Sequence, residues 1–101
     1  MAFVCGDLDT TLAAAAGSDP ALFRELRAAF AESLARQIDF MQRARCDANW
    51  QVSAMRLKGL AGSFHAEPLL ALAEQALEGA PGDPVVLRRL HRFHADFTRT
   101  D

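Results

Sequence analysis

Few side chains in this 101-residue chain could do chemistry, and their spacing limits what that chemistry could be. His91 and His94 stand three apart, which on a helix lets them share a face and supply half of a metal site. No third or fourth ligand lies near them in sequence, so the pair reads as a polar helix edge; no metal and no cofactor are expected. Cys5 and Cys46 match no metal-ligand spacing and are expected to be reduced thiols. No Ser-His-Asp, Cys-His or paired-carboxylate pattern stands out, so nothing supports enzymatic turnover.

The informative segment is Trp50 to Phe64. With about 100° per residue, Trp50, Ala54, Leu57, Ala61 and Phe64 fall in one arc, the expected core face. Gln51, Met55, Lys58, Gly59 and Gly62 fall in a second arc about 130° away. This outward stripe is unlike an ordinary solvated face, because each mid-helix glycine costs roughly 1 kcal/mol relative to alanine. The glycines either permit close helix packing, simply weaken a tolerant helix, or clear space for another protein's backbone. A lysine one turn from Met55 would also suit an anionic group held there.

The elements that must position this stripe are helical throughout. Ala, Leu, Arg and Glu dominate and alternating β-branched runs are missing. Leu8 to Ala16 reads as a short helix stopped at Gly17. Asp19-Pro20 is a helix start, and Phe23, Leu26, Phe30, Leu34, Ile38 and Met41 then recur at helical spacing to about Arg45. Cys46 to Asn49 is expected to be a short connection. Ala66-Glu67-Pro68 opens a fourth helix with Leu69, Leu70, Ala73, Ala76 and Leu77 inward. Asp83-Pro84 opens a last one bearing Val86, Leu90, Phe93 and Phe97. Short loops between amphipathic helices predict an antiparallel up-down-up-down four-helix bundle with an additional short N-terminal helix. One domain is expected over 1–101, with 1–17 an extension and 18–98 the bundle.

In that register the segment Ala54-Met55-Arg56-Leu57-Lys58-Gly59-Leu60-Ala61-Gly62-Ser63-Phe64 resembles the signature of histidine phosphotransfer (HPt) domains: alanine, the phospho-accepting histidine, any residue, Leu-Lys-Gly, then small residues. Asp47 to Trp50 resembles the turn before the histidine helix, and Ala66 to Glu78 the helix after it. The resemblance covers residues 18 to 98. It implies a four-helix bundle that exchanges phosphoryl groups with receiver domains. It also implies that Lys58 helps hold the phosphoryl group and that Gly59 clears space for the receiver. Gln51 lies one turn before the phosphorylation position. Two departures stand out: Met55 occupies the histidine position, and His65 stands where the family often has glycine. A thioether cannot take a phosphoryl group from aspartyl phosphate. His65 is ten residues farther on, about 15 Å along the axis and about 80° around it. It reads as a capping or half-buried structural histidine rather than a substitute acceptor.

The resemblance therefore implies a two-component signalling module that docks response-regulator receiver domains or a histidine kinase without carrying phosphate. Its partner-binding residues would be Gln51, Met55, Arg56, Lys58, Gly59 and Gly62, with no catalytic residue. Two other readings stay open. One is an active phosphotransfer protein using another residue or altered at position 55; the other is a helical adaptor unrelated to phosphorelays. A formal charge of −2 gives no global attraction to nucleic acid or anionic membrane. No basic leader precedes an apolar run, and no stretch reaches the ~18 apolar residues of a membrane span. A soluble cytoplasmic protein is expected, either a monomer or a weak homodimer.

Overall fold

Two Asp-Pro pairs set helix starts in the same way. Asp19 Oδ1 accepts from the backbone N–H groups of Ala21 at 2.9 Å and Leu22 at 3.3 Å, and Asp83 Oδ1 accepts from Val85 N–H at 3.0 Å. Each carboxylate satisfies donors that the first helical turn leaves unpaired, and the following proline already has helical φ. In the computed structural model, which describes residues 6–99 with side chains from Leu8 onward, the chain forms five α-helices. They are α1 (Gly6–Ala16), α2 (Pro20–Arg43), α3 (Asp47–Ser63), α4 (Glu67–Glu78) and α5 (Pro84–Thr98). No strand occurs among the described residues. Cys5 lies outside them; Cys46 is a free, exposed thiol.

Boundaries depart from the sequence reading at three helices, the first of which begins at Gly6 rather than Leu8. The second helix ends at Arg43 rather than near Arg45, with Ala44 extended at ψ 132°. The third begins at Asp47, so the expected connection over Cys46 to Asn49 is largely helix. The reason is local: Cys46 C=O already accepts Trp50 N–H at 3.1 Å, Asp47 places negative charge at the helix N-terminus, and no glycine or proline interrupts the turn. At the other end of α1, Gly17 takes φ +67°, a value that most side chains resist.

The centre of each apolar stripe is buried where the spacing placed it, but its edges are not. Phe30, Leu34, Ile38 and Met41 of α2 meet Trp50, Ala54, Leu57 and Ala61 of α3, and Val86, Leu90, Phe93 and Phe97 of α5. Phe23, Leu26, Phe64, Leu70 and Leu77 pack at the edge of this core and are only half-buried. The α3/α4 contact is the most extensive; α2 also touches α1, α3 and α5, and α4 touches α5. Alanines at 54, 61, 73 and 76 are fully buried, so α3 and α4 meet through small side chains. Phe30 stacks edge-to-face on Phe64 with centroids 5.4 Å apart and lies 5.4 Å from Phe97. Aromatic contact thereby ties α2 to the end of α3 and to α5.

Arg27 joins three elements. Its Nε donates to Asp9 Oδ1 of α1 at 3.0 Å, its Nη1 donates to Phe97 C=O of α5 at 2.9 Å, and its guanidinium carbon lies 3.9 Å from the Phe97 ring centroid. Among the described residues no helix is long and apolar enough to cross a membrane.

Candidate functional site

The rotational setting of α3 decides what its outer face presents. Trp50, 1% exposed, donates from its indole Nε1 to Ala76 C=O of α4 at 2.8 Å. Ala76 lies in the last turn of α4, where carbonyls lack intrahelical donors; the same oxygen also accepts Gly79 N–H at 3.1 Å. With the indole pinned, residues one turn further along and on the opposite side of α3 must point out of the core.

Among the described residues Met55 is the most exposed of the large apolar ones, at 55%. Gln51, Arg56, Gly59 and Gly62 are also exposed, and Lys58 is half-buried. Lys58 Nζ lies 3.9 Å from Glu74 Oε2 of α4. With both side chains near half exposure, that pair contributes little to stability. A Cβ placed on Gly59 or Gly62 would meet nothing within 4 Å. Close helix packing, one reading of these glycines, is therefore not their role within the chain.

On the α2 side the face continues into features that periodicity did not flag. Phe40 is 42% exposed and Val52 48% exposed, and both line a groove of ≈ 470 Å³ bounded also by Arg43 and Arg56. A second groove of ≈ 410 Å³ runs alongside Gly59, lined by Arg56, Ser33, Gln37 and Ser63. Gln37 Oε1 is buried there without a hydrogen-bond partner among the described residues. Phe40 was missed because it sits one position before the core stripe residue Met41. Its exposure depends on how far α3 approaches α2. Val52 is three residues before Met55, and that spacing could have marked it.

The histidines stand apart from this face. His65 is exposed, not half-buried, and holds φ +57°. Ala66 N–H donates to Ala61 C=O at 2.9 Å and His65 N–H to Gly62 C=O at 3.4 Å. This is the paired closure of a helix C-terminus, with His65 at the left-handed position usually given to glycine. Its place in the cap comes from its backbone, not from its imidazole. His91 Nε2 lies 2.7 Å from Gln42 Oε1 of α2, while His94 is half-buried. Among the described residues no three His, Cys, Asp or Glu side chains gather as a metal site. Comparison with family models finds no match, and comparisons with curated proteins and with solved structures find none either.

Proposed function

We propose that this chain is an HPt-like module of phosphorelay signalling that docks a response-regulator receiver domain or a histidine kinase through the outer face of α3, without carrying phosphate. The observation that carries the reading is the exposed Met55, flanked by Lys58 and by two glycines with open space above them. In this reading α2 to α5 form an antiparallel up-down-up-down four-helix bundle, with α1 added on the side of α2. The ring of contacts α2/α3, α3/α4, α4/α5 and α5/α2 supports that arrangement.

The physical case is specific to these residues. A half-exposed thioether is flexible and polarizable, which suits an adaptable protein contact better than free solvent. The notch above Gly59 and Gly62 lets a partner's backbone approach, and that use offsets the helix propensity the glycines forgo. Lys58 holds a weak surface pair that a partner can exchange. Thioether chemistry leaves position 55 without a phosphoryl acceptor.

The test is direct binding of the full chain to receiver domains of its source organism, with parallel incubation against a phosphorylated receiver. Binding is expected, weakened by Met55→Glu and by Gly59→Arg, with no acid-labile phosphoprotein formed. Met55→His is expected to accept phosphate from the phosphorylated receiver. Phosphate on the unaltered chain would overturn the reading, as would a failure of every receiver and kinase tested to bind.

A further inference from the structure

We infer that the partner's footprint is displaced toward α2, and that the surface docking there is an acidic patch of a receiver domain carrying a protruding apolar side chain. The inference rests on the receiver-docking reading above and adds to it the side of approach and the chemistry of the partner. The two flanks of Met55 differ in charge state. Toward α4, Lys58 is offered to a partner only by exchange of its weak pair with Glu74 at 3.9 Å. Toward α2, Arg56 makes no ion pair or hydrogen bond among the described residues, and Arg36 makes only a hydrogen bond to Ser33 Oγ at 3.3 Å. Arg43 pairs with Asp39 at 2.9 Å on its own helix while its guanidinium carbon sits 5.6 Å from the Phe40 ring centroid.

Apolar exposure follows the same asymmetry. Of the five large hydrophobic residues exposed among the described residues, the three most exposed are Met55, Val52 and Phe40. Val52 and Phe40 share the groove that Arg43 and Arg56 border. Val52 and Met55 lie one turn apart on α3. A partner side chain entering this groove would find Phe40 and Val52 on its walls beside the polar Asn49 and Ser53, with guanidinium groups at the rim. Aspartate and glutamate on the partner would match those groups, and such complementarity sets specificity and association rate. A second copy of this chain fits less well: two-fold docking through the same face would bring Arg43 and Arg56 toward their own counterparts.

The experiment titrates isotope-labelled full chain with a receiver domain that binds it, following backbone amide shifts and the dissociation constant together. The largest shifts are expected along the exposed side of α2 and α3 from Arg36 to Gly59, with α4 little changed. Arg56→Glu and Phe40→Ser are each expected to weaken binding about tenfold or more, Arg56→Lys far less, and added NaCl to weaken it further. Circular dichroism of each variant separates lost binding from lost folding. Leu22→Ser, at an exposed apolar position outside the face, should leave binding unchanged. If a receiver binds but its footprint follows α4, or ignores Arg56 and Phe40, the inference falls and the docking reading stands. If no receiver binds, both fall. Self-association of the chain alone that Phe40→Ser abolishes would assign the face to a second copy and overturn the inference.

Discussion

The indole of Trp50 and the carbonyl of Ala76 meet at 2.8 Å inside the protein, and this bond sets the rotation of α3 against α4. Two elements whose other buried contacts are largely alanine have few bulky side chains to define their register. A directional buried hydrogen bond supplies that definition.

Replacing the indole by a ring without a donor tests this. Trp50→Phe is expected to lower stability by about 1–3 kcal/mol, from the lost bond and the space left by the smaller ring. Ala76 C=O keeps its bond from Gly79, which holds the loss below that of a fully orphaned carbonyl. Urea unfolding followed by far-ultraviolet circular dichroism measures it. An unchanged midpoint would mean that the alanine contacts alone define the register.

Substituting His65→Gly should raise stability by about 1 kcal/mol, because glycine takes the left-handed conformation without the penalty a Cβ incurs. His65→Ala keeps the Cβ and is expected to gain nothing. Thermal unfolding of the two variants side by side separates the backbone effect from loss of the imidazole; equal gains would assign the effect to the side chain.

The glycines of α3 should behave as a helix cost with no packing role. Gly59→Ala and Gly62→Ala are each expected to add roughly 1 kcal/mol, a rise in melting temperature of roughly 4–8 °C for a domain of this size. Destabilisation by either alanine would instead show that the Cβ meets an obstacle.

Arg27→Met should cost about 1.5–3 kcal/mol, since it removes a charged hydrogen bond to the C-terminal turn of α5 as well as the pair with Asp9. A double-mutant cycle with Asp9→Asn is expected to return a smaller coupling of about 0.5–1 kcal/mol, shrinking as salt is added. Coupling equal to the whole loss would place the contribution in the ion pair and none in the bond to Phe97.

Much of this protein is legible in the order of its residues. The Asp-Pro pairs, the 3.6-residue stripes and the glycine after Ala16 are local signals, and local hydrogen bonding and burial enforce them with little help from distant parts. The outward stripe of α3 was legible for the same reason: rotation per residue is fixed, so Trp50 and Leu57 inward require Met55 and Gly59 outward. The extent of burial at stripe edges was not legible. Phe23, Leu26 and Phe64 have the right spacing, yet neighbouring helices reach them only in part.

Tertiary structure decided three further things. It paired Lys58 with Glu74 across α3 and α4, and on the side of α2 it left Arg56 without an ion pair among the described residues. It exposed Phe40 beside Val52, which depends on the separation of two helices rather than on either sequence. It also put His65 at φ +57°, a conformation set by where α4 must begin. A helix's own sequence determines which of its faces is apolar. Which charges on the polar face find partners depends on the elements packed beside it, and here that difference distinguishes the two flanks of Met55.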